Sequence, residues 1–83
     1  MILKGTLFNN FLKEYTCIYE ICSFELEFIS PDHSDCQIIA QLTDGKEIYI
    51  PIELEDYEKL ANELYENNRL DLTKYNYAIY KAE

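Results

Sequence analysis

The densest group of side chains that could do chemistry is a run of carboxylates between residues 53 and 66. It contains six acidic residues and one basic residue, Lys59. On a helix, carboxylates three or four residues apart are separated by about 4.5–6 Å of rise, a spacing comparable to that of phosphates along a nucleic-acid strand. The run therefore predicts either a surface that competes for a basic groove or an ordinary solvated helix face. The residues assigned to this surface are Glu55, Asp56, Glu58, Glu63 and Glu66.

A second group of candidates combines tyrosines with carboxylates on alternating positions. Eight tyrosines exceed what a core of this size needs, and tyrosine supplies rigid contact area at interfaces. Alternatively, the C-terminal tyrosines fill the edge of the core. Glu25 and Glu27 are about 6.5–7 Å apart by strand rise, a separation that paired acid and base carboxylates use, although simple alternation explains them better. We expect these residues to form a binding surface with the acidic helix; its further members are Tyr49, Tyr65, Glu25, Glu27 and Glu47.

Metal binding and catalysis have weaker support in the sequence. His33 is the only histidine, and Asp32, Asp35 and Cys36 lie close to it. A structural zinc site needs four ligands in paired units, and only His33 and Cys36 have suitable spacing. We interpret His33 as a turn residue and predict no metal, no cofactor and no catalytic residues; the chain also lacks a nucleophile signature and a glycine-rich phosphate loop.

Charge and composition narrow the possible partners. A net charge of −9 on 83 residues repels phosphate backbones and anionic membranes, so we expect no direct binding of nucleic acid or membrane. No apolar stretch approaches the roughly 20 residues that span a bilayer or resembles a signal peptide. Three cysteines cannot all pair within one chain. We expect a cytoplasmic protein with reduced thiols.

Alternating apolar residues predict the strands that position these groups. Strands are expected from Cys22 to Ile29, from Cys36 to Leu42 and from Lys46 to Ile52. A three-residue loop, 43–45, aligns the apolar faces of the last two strands and places Gly45 at the left-handed position of a bulged turn. Residues 15–21 should extend the first of these strands, with a bulge or break near Glu20.

The remaining segments predict one helix and further strands. A 3.6-residue period after Pro51 predicts an amphipathic helix over about 54–67, with a left-handed exit at residues 67–68. A last strand is expected over 75–80. Residues 2–8 fit a strand that turns at residues 9–10, but the segment up to residue 15 also fits one helix face; we favour the strand.

These elements predict a single α+β domain over residues 1–83. Its antiparallel sheet has about four to five strands, and the helix of residues 54–67 packs on one face. We expect a non-catalytic acidic binding protein, monomeric or homodimeric, of the inhibitor or immunity type that phages encode. It would neutralise a basic, nucleic-acid-handling protein, in the manner of a nucleic-acid mimic. The alternative is a self-assembling accessory module that uses a sheet edge or sheet face.

Overall fold

Six strands and one α-helix make up most of the computed structural model, which describes residues 1–8, 14–32 and 34–81. A 3₁₀ helix, Leu72–Lys74, links the last two strands, and helix α1 spans Leu54–Asn67. The strands are β1 (Ile2–Phe8), β2 (Glu14–Phe28), β3 (Cys36–Leu42), β4 (Glu47–Ile52), β5 (Arg69–Asp71) and β6 (Ala78–Lys81).

Five of these strands close into a barrel. β2 pairs with β3, β3 with β4, β4 with β6, β6 with β1, and β1 pairs again with β2. β5 is an additional strand that pairs with β1. The prediction of one helix and one sheet in a small domain is confirmed. The prediction of an antiparallel sheet with the helix packed on one face is wrong, because the sheet closes into a barrel and β1 is parallel to both β5 and β6.

The length of β2 is the physical reason for the closure. Its first half pairs with β1 as far as Glu20, and its second half pairs with β3 from Ile21 onwards. The register shifts between Ile21 and Ser23, where the predicted bulge is confirmed. A bulge bends a strand and increases its twist, so one strand can serve both sides of the barrel. Alternation in a sequence reveals the apolar face of a strand but not which strands are its neighbours.

The hairpin between β3 and β4 has the predicted register. Ala40 pairs with Ile48, and Ile38 pairs with Ile50. The turn closes through a bond from the Leu42 amide to the Lys46 carbonyl, 2.7 Å long. Gly45 has a φ of 89°, the left-handed conformation that the bulged turn requires.

Gly45→Val is expected to destabilise the fold by about 1–2 kcal/mol, because a β-branched residue is strained at positive φ. A Cβ at this position would meet nothing within 4 Å, so backbone strain is the only cost. Gly45→Asn is the matched control, since Asn tolerates the left-handed region, and it should lose less than half as much. Urea denaturation measures both; equal stability of the Val variant and the wild type would contradict the turn conformation.

The core fills the barrel and continues under the helix. The largest fully buried side chains include Leu3, Ile38, Ile48 and Ile79 from the strands, and Leu60 from α1 belongs to the same cluster. The helix ends at Asn67, and the following Asn68, with a φ of 58° and an amide bond to the Leu64 carbonyl, forms a left-handed cap. The predicted bounds, buried stripe and C-terminal exit of the helix are therefore confirmed.

The two ends of the chain differ in how well they were predicted. The favoured N-terminal strand is confirmed as β1, whereas its expected turn at residues 9–10 lies outside the described residues. The last strand begins at Ala78 rather than at Tyr75, and β5 and the 3₁₀ helix were not predicted. Asp71 caps that short helix by accepting bonds from the Thr73 amide and hydroxyl. Such short local structures are set by single hydrogen bonds and have no periodic pattern.

Candidate functional site

Helix α1 divides the predicted acidic residues into two groups. Glu55, Glu58 and Glu66 are exposed on the side opposite the buried Leu60 and Leu64. The other two, Asp56 and Glu63, are half-buried on the flank that faces the C-terminal segment. The five carboxylates that the sequence places together therefore do not form one surface.

Asp56 and Glu63 bind tyrosine hydroxyls of the segment that precedes β6. The Tyr77 hydroxyl donates to Asp56 Oδ2 at 2.5 Å and accepts a bond from the Glu53 amide at 3.1 Å. The Tyr75 hydroxyl donates to Glu63 Oε1. The ammonium of Lys59 lies 5.4 Å from the centre of the Tyr75 ring. These bonds attach the helix to the C-terminal segment, which gives Asp56 and Glu63 a role in the fold.

Both tyrosine hydroxyls are held in their protonated form. The hydrogen bond to Glu63 raises the pKa of Tyr75 above its ordinary value of 10. Burial, followed by the bond to Asp56, raises the pKa of Tyr77. A group whose pKa is raised by folding contributes stability that is present below its unfolded pKa. That contribution is lost as the pH rises above 10 through the raised values.

Tyr77→Phe is therefore expected to cost about 1 kcal/mol at pH 8, because it removes one hydrogen bond and leaves the Glu53 amide without that acceptor. The same variant should lose less additional stability than the wild type between pH 8 and pH 11, because it lacks one of the two tyrosines whose pKa is raised by folding. Urea denaturation at the two pH values measures this difference. Parallel pH profiles for the two proteins would contradict the anchoring role.

Tyr65 connects the outer side of the helix to β2. Its ring lies 5.1 Å from the ring of Phe24, yet its side chain is 71% exposed. Glu58 precedes Tyr65 by two helical turns on the same side of α1.

Glu25 and Glu27 are exposed on the outer face of β2, next to Phe24 in the sequence. Glu27 accepts a 2.8 Å bond from the Gln37 side chain on β3. The contact between Tyr65 and Phe24 thus joins two elements that each carry exposed carboxylates, and the sequence could not show this contact.

Tyr49 and Glu47 lie further round the barrel, on the outer side of β4. Both are half-buried, and Tyr49 pairs with Ile39 on β3 and with Tyr80 on β6. Ile39 is only 6% exposed although it is on the outer face. These side chains therefore cover one another, and Tyr49 and Glu47 are less available to a partner than Glu25 and Glu27.

Charge is distributed unevenly over the molecule. Residues 14–45 contain seven acidic residues and no Lys or Arg, and they include β2 and β3. Basic residues of the other elements include Lys4 on β1, Arg69 on β5, Lys74 in the 3₁₀ helix and Lys81 on β6. Lys4 and Lys74 are close enough to help Thr73 lower the pKa of Asp71. We use the name acidic face for one set of exposed carboxylates: Glu25, Glu27, Glu55, Glu58 and Glu66.

The loop before β3 is organised by serine and aspartate side chains. Asp32 accepts bonds from the Ser30 hydroxyl at 2.7 Å and from the hydroxyl and amide of Ser34. These bonds lower the pKa of Asp32 to about 2. Asp32 is thus a turn residue, whereas His33, which we predicted to be one, lies outside the described residues. Among the residues that the structure describes, no group of three or more His, Cys, Asp or Glu side chains could hold a metal ion.

Cys36 lines a surface hollow of about 350 Å³ between the start of β3 and the end of β4, and its thiol could in principle act as a nucleophile there. Its thiol donates to the Ile52 carbonyl, and burial raises its pKa. A raised pKa disfavours the reactive thiolate. Cys36 therefore behaves as a small core residue; Cys17 and Cys22 are also free thiols, half-buried and exposed respectively.

No helix within the described ranges has the length and hydropathy needed to cross a bilayer. Comparisons of the chain with protein-family models, curated proteins and solved structures find no significant match. Function must therefore be inferred from the chemistry and geometry of this chain alone.

Proposed function

We propose that this protein is a non-catalytic binding protein whose acidic face neutralises a basic, nucleic-acid-handling protein. Such a role is typical of inhibitors and immunity proteins, including those encoded by phages. The exposed carboxylates occupy the groove that the partner uses for phosphates, so the partner can no longer hold nucleic acid. Long-range attraction speeds the encounter, and the exposed Tyr65 supplies an aromatic contact beside Phe24.

The uneven charge of the surface is the observation that carries this proposal. Solubility alone would be served by acidic residues interspersed with lysines. On the acidic face, β2 and β3 contribute no basic residue, and the one lysine of α1 lies over the Tyr75 ring on the opposite flank. The exposed carboxylates of this face are thus left without neighbouring cations from these elements, as an electrostatic mimic of nucleic acid requires.

The rival function is self-assembly, and specific features favour it. Ile18, on the outer side of β2, is 68% exposed, and the second half of β2 has an edge without a strand partner among the described residues. Unpaired edges are templates for pairing with another chain. Size-exclusion chromatography with light scattering at several concentrations separates the two functions, because only self-assembly requires a dimer. A stable dimer that buries the acidic face would contradict our proposal.

Affinity capture from a lysate of the source organism tests the proposal directly. The immobilised wild-type chain should retain a basic protein that a Glu55→Gln, Glu58→Gln, Glu66→Gln variant retains poorly. The captured protein should elute as salt rises from 50 to 500 mM, because screening removes attraction between exposed charges. Capture of partners without a basic surface, or retention that is flat in salt, would contradict the electrostatic mechanism.

A further inference from the structure

The second half of β2 has one paired edge and one open edge. Residues from Ile21 to Phe28 pair with β3, whereas β1 pairs with β2 only as far as Glu20. Met1 adds the last contacts on the β1 side, through two bonds with the backbone of Ile21. Beyond that point, no strand in residues 1–8, 14–32 or 34–81 pairs with this edge.

Antiparallel geometry identifies the backbone groups that point to the open edge. The Ile29 amide bonds to the Asp35 carbonyl at 2.8 Å, so odd-numbered residues in this part of β2 direct their backbone groups toward β3. Even-numbered residues direct theirs to the other side. Phe24 and Leu26 therefore present two N–H and two C=O groups along the open edge.

The surroundings of this edge are apolar on one side and acidic on the other. Phe24 and Leu26 are half-buried and belong to the border of the core, and Tyr65 lies over Phe24 from α1. Glu25 and Glu27 point to the outer face of the same strand. A strand added here would have one row of side chains against apolar neighbours and the alternate row beside carboxylates.

We propose that the open edge at Phe24 and Leu26 binds an extended basic segment of the partner protein as an added antiparallel β-strand. This inference rests on the proposed function and names the segment that the acidic face recognises. Backbone bonds to Phe24 and Leu26 supply affinity, while Lys or Arg side chains opposite Glu25 and Glu27 select a basic sequence. A second copy of this chain is a poor occupant, because like charges directly opposite each other on paired strands are destabilising.

Synthetic peptides test strand addition separately from charge. The probe is an eight-residue peptide of alternating Lys and Val with blocked ends. When the peptide pairs antiparallel to β2 with Lys facing Glu25 and Glu27, the Val amides point at β2 and the Lys amides point away. Two control peptides carry N-methyl groups, one on the Val residues and one on the Lys residues, with equal charge and equal methyl content.

The N-methyl-Val peptide should bind about tenfold or more weakly than the N-methyl-Lys peptide, because only the first loses its bonds to β2. In the complex with the unmethylated peptide, amide exchange measured by NMR should slow at Phe24 and Leu26. It should change little at Ser23 and Glu25, whose amides already face β3.

Equal affinities of the two methylated peptides, unchanged exchange at Phe24 and Leu26, or protection of these amides by dimerisation without peptide would each overturn the strand addition. Each of these results would still be compatible with the salt-dependent capture that the acidic face predicts. Failure of strand addition and failure of the proposed function are therefore distinguishable. Conversely, loss of salt-dependent capture with intact discrimination between the peptides would contradict only the proposed neutralising role.

Discussion

Replacing Glu55, Glu58 and Glu66 together by Gln is expected to slow association with the basic partner about tenfold or more at low salt. The three carboxylates are exposed, whereas Asp56 and Glu63, which bind tyrosine hydroxyls of the C-terminal segment, are left unchanged. Gln preserves side-chain size and most of the helix propensity, so stability should stay within about 1 kcal/mol of the wild type. Stopped-flow or surface-binding kinetics at 50 mM and 300 mM salt measure the association rate and its salt dependence.

A variant with the same net charge as the triple Gln variant, but with its substitutions elsewhere on the surface, provides the control. Thr16→Lys with Glu20→Lys changes the charge from −9 to −6, as the triple Gln variant does. Both residues are exposed on the first half of β2, on the side where β1 carries Lys4. If location matters, this control should slow association far less than the triple Gln variant. Equal effects of the two variants would show that only net charge acts, and the acidic face would then have no special role.

Gly5→Val is expected to destabilise the fold by about 3 kcal/mol or more, because Gly5 lies where two strands close the barrel. A Cβ at this position would lie 2.8 Å from Ile79 Cδ1 and 3.2 Å from Leu72 Cβ, and both neighbours are fully buried. Overpacking a filled core typically costs about 1–3 kcal/mol per site, and Val adds two methyl groups beyond Cβ. Chemical denaturation followed by circular dichroism measures the loss.

A double-mutant cycle shows whether the loss comes from this contact. Ile79→Val removes the Cδ1 atom that lies closest to Gly5, and by itself it should cost about 0.5–1.5 kcal/mol. The double variant Gly5→Ala, Ile79→Val should lose at least about 0.5 kcal/mol less stability than the sum of the losses of the two single variants. Strict additivity would indicate that β1 and β6 are not packed against each other, which would contradict the closed barrel.

The sequence predicted the structure correctly where local periodicity determines it. The alternation of apolar residues around Gly45 favours the observed hairpin register over that of a two-residue loop, which would place apolar residues on both faces. The 3.6-residue period likewise defines α1, and both predictions are confirmed. Barrel closure was missed because it depends on β2 pairing with β1 and β3 at once, and on parallel pairing between distant segments. No local pattern records such long-range contacts.

The candidate site could be predicted residue by residue but not as a surface. Composition identified the carboxylates of α1, and helix geometry separates the exposed Glu55, Glu58 and Glu66 from the buried stripe. The sequence could not show that Asp56 and Glu63 bind two tyrosine hydroxyls, because β5 and a 3₁₀ helix separate those tyrosines from α1 along the chain. The contact between Phe24 and Tyr65, which joins the strand to the helix, was also missed because it depends on tertiary packing.

Competition for the captured partner is the most direct test of the central claim, which is that the acidic face occupies a nucleic-acid site. A fluorescent oligonucleotide bound to the partner is titrated with the wild-type protein, with the triple Gln variant and with the Thr16→Lys, Glu20→Lys control, and anisotropy reports the bound fraction. The wild type should displace the oligonucleotide at a one-to-one ratio, the control should behave almost as the wild type, and the triple Gln variant should need about tenfold more protein. A ternary complex, in which the partner holds the oligonucleotide while the wild-type protein is bound, would contradict the proposal.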